Sequence, residues 1–281
     1  MRNTPDISGH YTSGDLLRRL ESRLRDDGAD AARPTFEALA PYDHFHGRGI
    51  EATEELVQDL QVSPSDHILD VGSGIGGPAR LFAQRFQCRV TGIDLTAEFC
   101  EVARHLTAQL GLTERNVFEQ GDALAMPFGD AVFDGAYTMN VSMNIADKRA
   151  FFAEIHRVLK LGAWFRLAEI AQGPGGEPNY PTPWARTGAS SFLATPAETC
   201  ANLEASGFVI ESQRDTAEAA LAYAARSRAV VEAGGQPPHR AVSLVHGALA
   251  EEAIANTGHA LKEGRTVPIE LACRKVSESD G

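Results

Sequence analysis

The sequence lacks any apolar run approaching the roughly 20 residues that cross a bilayer, so a membrane-spanning segment is not expected. Its opening residues, Met1-Arg2-Asn3-Thr4-Pro5-Asp6, lack the apolar stretch of a secretory signal, and the expected location is the cytoplasm. Cysteine is scarce: Cys88, Cys100, Cys200 and Cys273 stand far apart, with no C-x-x-C pair and no histidine at ligand spacing. Free buried thiols and no metal are expected. Positive charge is in deficit, with 26 Lys and Arg against 38 Asp and Glu and a net charge of -12. Such a field repels phosphate backbones, which argues against a nucleic-acid partner and for a neutral or cationic small molecule. Repeats and low-complexity tracts are also missing. What remains, 281 residues that are 43% hydrophobic and 23% charged, suits one large α/β domain with insertions, and leaves a homodimer open.

From His67 onward, short apolar runs alternate with longer amphipathic ones, the pattern of β-α-β units on a parallel sheet. Strands are expected at 67–71, 89–94, 116–120, 133–139 and 163–170, with helices at 76–86, 97–110 and 147–159. A helix from Pro196 to Ser206, a strand from Phe208 to Gln213 and a last strand from Val267 to Arg274 complete a seven-stranded, mostly parallel sheet. Before it, Leu16, Leu17, Leu20 and Leu24 form one stripe of a helix over 13–27 behind a Thr12-Ser13 cap, and a second helix is expected from Ile50 to Leu60. Gly173-Pro174-Gly175-Gly176-Glu177-Pro178 reads as a surface loop. The alanine-rich stretch 216–262 reads as a helical cap inserted before the last strand. The expected units are thus an N-terminal helical lid segment (1–62), a Rossmann-like core (63–215), the cap (216–262), and the last strand with a tail (263–281).

The densest signal is Asp70-Val71-Gly72-Ser73-Gly74-Ile75-Gly76-Gly77, a buried strand running into a glycine loop and then a helix. Glycines let the chain turn sharply and let a ligand approach main-chain N–H groups at a helix start. Gly72, Gly74 and Gly77 also satisfy G-x-G-x-x-G, so the glycines alone admit a nicotinamide dehydrogenase. Asp70 argues against it, because a carboxylate beside the loop repels a pyrophosphate and attracts the ammonium and sulfonium of S-adenosylmethionine. Asp94, some twenty residues past the loop, is placed to accept ribose hydroxyls, and Asp122 in Gly121-Asp122-Ala123 to take the exocyclic amine of adenine. The expected cofactor contacts are Asp70, Gly72, Ser73, Gly74, Asp94, Leu95, Asp122, Ala123 and Asn140.

At these residues the chain resembles the class I S-adenosylmethionine-dependent methyltransferases: motif I at Asp70 to Gly76, then Asp94, then Gly121-Asp122. Arg157-Val158-Leu159-Lys160-Leu161-Gly162 resembles that family's helix-to-strand turn, with Leu161 where a proline is usual. Three further segments, Tyr42-Asp43-His44-Phe45-His46-Gly47-Arg48-Gly49, Met143-Asn144-Ile145-Ala146-Asp147-Lys148 and Tyr180-Pro181-Thr182-Pro183-Trp184-Ala185, resemble the sarcosine/dimethylglycine and glycine/sarcosine N-methyltransferase branch. That resemblance implies that the segment before the core closes over the methionine end of the cofactor, with His44, His46 and Gly49 beside it. His44 and His46 are then candidate bases, and Tyr42 to Gly49 a gate ordered by the cofactor. Asn140, where relatives often carry histidine, can orient an acceptor but cannot remove a proton at neutral pH. The expected catalytic set is His44, His46 and Asn140. Trp184, Phe192 and Tyr223 are candidate walls of the acceptor pocket, and Arg186 a candidate partner of an acceptor carboxylate. The resulting expectation is methyl transfer to a small molecule, with an amine nitrogen as first choice and oxygen, carbon or sulfur as alternatives. A cofactor-binding protein without catalysis is the rival outside the enzymes.

Overall fold

Alternating buried strands and amphipathic helices can bury both kinds of apolar face only by layering helices on a sheet, and the chain does so. The computed structural model describes residues 7–12 and 14–276; the Ser13 cap, the opening Met1 to Asp6 and the tail beyond 276 lie outside the described residues. Four helices come first: α1 (Ile7–Tyr11), α2 (Leu16–Asp26), α3 (Phe36–Asp43) and α4 (Ile50–Leu56). The alternating part follows as β1 (His67–Val71), α5 (Gly77–Phe86), β2 (Arg89–Asp94), α6 (Ala97–Gln109), β3 (Asn116–Gln120), β4 (Phe133–Met139), α7 (Lys148–Val158) and β5 (Leu159–Gln172). It ends with α8 (Pro196–Ala205), β6 (Phe208–Asp215), α9 (Ala217–Glu232), α10 (Ala241–His246), α11 (Ala250–Lys262) and β7 (Thr266–Lys275). Among the described residues, no helix is long and apolar enough to cross a membrane.

Several boundaries differ from the sequence reading. The helix expected over 13–27 starts at Leu16, because the Glu98 carboxylate of α6 accepts from the N–H groups of Gly14 (3.0 Å) and Leu16 (2.7 Å). A distant side chain thus does the work expected of Thr12-Ser13. The helix expected to reach Leu60 ends at Leu56. α3 was not expected, since Pro41 lies inside it; the proline falls in the last turns, behind a Thr35 cap that accepts from the Ala38 N–H. β5 begins at Leu159, four residues early, and its pairing with β4 shifts between Phe133 and Gly135. Gly162, in the left-handed region at φ 77°, lets the strand jog there, and exposed Leu161 needs no proline's restraint.

The strand order is β3-β2-β1-β4-β5-β7-β6, with β7 antiparallel to both neighbours and the other pairs parallel. On one face Phe151, Phe152, Ile155 and Leu203 of α7 and α8 bury Val71, Phe165 and Leu271. On the other, Leu56, Phe82 and Ala83 of α4 and α5 bury Ile68, Val90 and Tyr137, with the Phe82 and Tyr137 rings stacked at 4.4 Å. A third core lies across the loop after β1, where Leu16, Leu20, Leu24, Leu39 and Tyr42 meet Ile75, Phe99, Leu106 and Leu244. The N-terminal helices therefore belong to the packed molecule. Fully buried Arg80 ties them in, donating to Asp43 Oδ2 (2.8 Å) of α3 and to Thr107 Oγ1 (3.3 Å) of α6. The order reverses between β1 and β4, and at such a switch point the carboxyl ends of parallel strands open a crevice.

Candidate active site

Five parallel strands end on that edge, and each delivers part of the site. Past Val71 the loop turns through Gly72 (φ 76°) and Gly74 (φ 52°), backbone that disfavours a side chain. A Cβ on Gly72 would overlap Val141, and one on Gly74 would stand 3.3 Å from the Phe45 ring. Ile93 carbonyl at the end of β2 accepts from Gly72 N–H (2.8 Å) and Ser73 N–H (3.1 Å), so the loop is stitched to the neighbouring strand. Asp94 holds the loop from the other side: Oδ2 accepts from Gly74 N–H (2.9 Å) and Oδ1 from Thr96 N–H (2.8 Å). Each oxygen keeps a second lone pair for a ligand. Exposed Leu95 extends beside it.

Two polar atoms of the loop are buried without a partner, Asp70 Oδ2 and Ser73 Oγ. Burial pushes the Asp70 carboxyl up to about 7, against a lowering by Tyr137 and with a further rise from the Asp94 charge. The Arg80 charge lowers it least, so the buried carboxylate remains costly, and a ligand bearing positive charge relieves it. Asp122 is exposed and turns one oxygen on the Leu124 N–H (2.9 Å), leaving the other open; Ala123 packs on the sheet core. Asn140 ends β4 in left-handed backbone (φ 56°), fixed by its N–H to the Ala168 carbonyl (2.8 Å).

His44 and His46 are placed differently from the sequence reading. Both are buried, at 3% and 6% exposure. His46 Nε2 donates to the Gly49 carbonyl (3.0 Å) and lies 3.0 Å from Thr53 Oγ1, which faces His44 Nδ1 at 2.8 Å; His44 Nε2 is 3.6 Å from Asp43 Oδ1. Since a carbonyl only accepts, His46 carries its proton on Nε2, Thr53 receives it, and Thr53 donates on to His44. Burial lowers both imidazoles' affinity for a second proton, so they stay neutral. The chain of hydrogen bonds closes on the protein itself and holds Phe45, between the two histidines, against Gly74. As bases the pair is misplaced, because their ring nitrogens bond to scaffold rather than face the strand ends.

On the acceptor side, β5 carries a residue the sequence reading passed over, just past its last pairing with β4 at Ala168. Glu169 is 3% exposed, with Oε2 accepting from Ser142 N–H (2.7 Å) and Oε1 from Ile170 N–H (3.0 Å). Burial raises its pKa, opposed by the Ser142 hydrogen bond and the Lys148 charge. Lys148 spends its ammonium on the carbonyls of Ser142, Ile145 (2.7 Å) and Phe192 (2.6 Å). Above lies Tyr11 of α1, whose phenol donates to Asn144 Oδ1 (3.0 Å) and is pushed up by burial and by the charges of Asp94 and Glu169. Tyr11 therefore spans the gap between the ribose-side carboxylate and Glu169. A lone glutamate in an apolar strand was a readable signal for Glu169, whereas nothing in the local pattern marked Tyr11. Trp184 is buried with Met143 and Ala185, and Phe192 is joined to this wall through its N–H to Met143 carbonyl (2.7 Å). Tyr223 is not part of it: Arg226 and Glu51 surround its ring on the side of α4. Arg186 is exposed beside His10 and His246.

Residues 69–167 match the family model of a methyltransferase domain. The methyltransferase phqN of Penicillium fellutanum is 30% identical over 183 residues, 63% of this chain and 53% of its own length. The chain spans about half the length of that relative and less of others, which are named as O-methyltransferases and sterol C-methyltransferases. Geranyl diphosphate C-methyltransferase of Streptomyces coelicolor A3(2), solved with Mg2+, geranyl-S-thiolodiphosphate and S-adenosyl-L-homocysteine, superposes with a TM-score of 0.72 at 19% identity, over 98% of this chain and 99% of that one. A Galdieria sulphuraria protein assigned as a sarcosine dimethylglycine methyltransferase superposes at 0.68 and 14% identity, over 92% and 98% of the two chains. The fold is the Rossmann-like fold of class I methyltransferases.

Proposed function

We propose that this chain methylates a small-molecule acceptor with S-adenosylmethionine, in the cytoplasm. The observation that carries the reading is Asp70: a buried carboxyl with an unpartnered oxygen, under a loop whose Gly72 has no room for a side chain, calls for a cationic ligand. A pyrophosphate in that place would be repelled. Asp70 receives the ammonium, Asp94 the ribose hydroxyls, Leu95 and Ala123 flank the adenine, and Asp122 takes its exocyclic amine. When bound, S-adenosylmethionine supplies a methyl group activated by its sulfonium. Asn140 orients the acceptor at the mouth of β4, and Tyr11 keeps water out from above. Glu169 accepts the proton that the nucleophile gives up, and the rise that burial gives its pKa makes it a stronger base than a solvated carboxylate. An amine nitrogen, a hydroxyl oxygen and a thiol sulfur each give up such a proton, as does an alkene carbon through the cation that methylation forms, so the base serves all four acceptor atoms. Nitrogen has the support of the three segments resembling the sarcosine branch, and oxygen of the names carried by sequence relatives.

Thermal-shift and calorimetric titration test the reading. S-adenosylhomocysteine is expected to raise the melting temperature while NAD and NADP leave it unchanged, and product S-adenosylhomocysteine to appear with a panel of amines and phenols. Stabilisation by the dinucleotides alone would overturn the cofactor; tight binding without turnover across the panel would favour a binding protein.

A further inference from the structure

We propose that His10 and His246 form a latch, released by protonation, that holds the N-terminal helix across the cofactor mouth. The proposal rests on the methyltransferase reading of the site and adds its regulation. The two rings lie 5.0 Å apart, one on α1 and one on α10. His10 Nε2 donates to the Pro183 carbonyl (3.2 Å), and the His246 ring packs against both His10 and, at 6.0 Å, Tyr11. A carbonyl only accepts, so His10 spends an N–H there and ties α1 to the turn at 180–185, while the ring contact ties α1 to α10. Tyr11 follows His10 directly. Its ring packs on Phe99 at 5.8 Å and its hydroxyl is held by Asn144, so whatever fixes His10 fixes Tyr11 over Asp94.

The surroundings favour the neutral rings. Arg186 from the turn faces both histidines, and Arg19 of α2, paired with Asp15 (2.8 Å), faces His246. Tyr11 separates them from Asp94 and Glu169, which face the phenol. Burial lowers both imidazoles; the Pro183 carbonyl opposes it at His10, with Arg186 adding a smaller lowering, and at His246 the His10 ring comes next, ahead of Arg186 and Arg19, taking it to about 4. Two protonated rings would stand side by side between two guanidinium groups, so protonation favours a state in which α1 has left. The sign follows from linkage: the open state binds protons from about 6.5 downward and the closed state binds them less readily, so closure is most favoured above that pH. Below it the opening constant grows by up to about 100-fold per pH unit, the limit for two protons. Mild acid would thus open the mouth and speed exchange of the spent cofactor.

Two measurements test the latch. Dissociation of labelled S-adenosylhomocysteine, chased with unlabelled ligand, is expected to accelerate at least tenfold between pH 7.5 and 5.5. His10→Gln keeps an N–H donor for Pro183 and His246→Gln keeps a polar side chain beside it, but neither can take a charge, so each is expected to lower the slope; the double variant should retain only the dependence due to Asp70. Amide exchange at residues 9–12 in the unliganded chain, corrected for intrinsic pH effects, reads the same opening without any cofactor. A wild-type slope that survives in the double variant, or exchange at 9–12 that does not respond to pH, would overturn the latch. Failure to bind S-adenosylhomocysteine with pH-dependent exchange intact would overturn the cofactor assignment and leave the latch standing.

Discussion

Asp70 sits near the end of a central strand, buried beside the Tyr137 hydroxyl, with its Oδ2 left unpartnered. With its pKa raised to about 7, half of the unliganded molecules carry a neutral carboxyl at neutral pH. A cationic ligand binds the ionised form, so binding must expel that proton. Calorimetry in buffers of different ionisation enthalpy should find up to one proton released at pH 6 and almost none at pH 8.5, with affinity rising up to about tenfold per pH unit below 7. Asp70→Asn should abolish both the release and the slope; a slope that persists would put the linked proton elsewhere. Asp94 answers to a different test, because its oxygens already hold Gly74 and Thr96 N–H groups and offer the ligand what remains. Asp94→Ala is expected to weaken S-adenosylhomocysteine by about 1–3 kcal/mol, the worth of hydrogen bonds to a charged acceptor. Unchanged affinity in that variant would move the ribose site. Gly72→Ala should cost about 1–3 kcal/mol of stability from left-handed backbone alone, with overlap on Val141 added, visible as a lowered melting temperature.

The segment from Tyr42 to Gly49 behaves as an element of the scaffold. Tyr42 donates to Asp27 (2.7 Å), Asp43 pairs with Arg80, Thr53 joins the two histidines, Arg48 pairs with Glu55 (2.5 Å), and His239 reaches across from before α10 to the His44 carbonyl (2.8 Å). Hydrogen exchange should therefore find residues 42–46 protected before any ligand is added, with the loop 72–76 and α1 gaining protection on binding. Equal gains in all three would restore the gate. Thr53→Val, which removes the hydroxyl between two imidazoles, should cost about 1–3 kcal/mol of stability, the penalty for leaving the buried acceptor His44 Nδ1 unpaired. The strands of the core and the loop at Asp70 were legible in the sequence because their signals are local: alternation, glycine punctuation, an acid at a strand end. α3 was hidden by Pro41, and the start of α2 by a cap arriving from Glu98, more than eighty residues away. The histidines misled for a related reason, since imidazoles beside glycines look the same whether they face a substrate or their own backbone. Only the closure of the chain decides which nitrogens are spent.

At the scale of the whole molecule, two sets of buried groups pull stability in opposite directions along the pH axis. Asp70, Asp94 and Glu169 have raised pKa values, chiefly from burial, so over their shifted range the folded chain holds protons that the unfolded chain has lost. Stability then falls as pH rises from about 4 towards 7 on their account. Seven of the nine histidines, His10, His44, His46, His67, His156, His239 and His246, are lowered, again first by burial. Between about 4 and 6.5 the unfolded chain binds protons that these refuse, so on their account stability rises with pH across that window. The more numerous histidines dominate below 6.5; between there and about 7 the carboxyls still change, Asp70 being the one whose range reaches about 7, while Lys148, lowered by burial to about 8, acts in the opposite sense at higher pH. The melting temperature of the unliganded chain is therefore expected to climb from pH 5 to about 6.5 and to sag slightly above it. A saturating cationic cofactor should remove the sag, because it supplies the charge that ionised Asp70 lacks, and should leave the acid limb in place. The shift produced by S-adenosylmethionine would then be larger at pH 8 than at pH 6, and Asp70→Asn should make the two equal. A shift independent of pH in the wild type would mean that the buried carboxyl at the end of β1 is not what the ligand's charge meets.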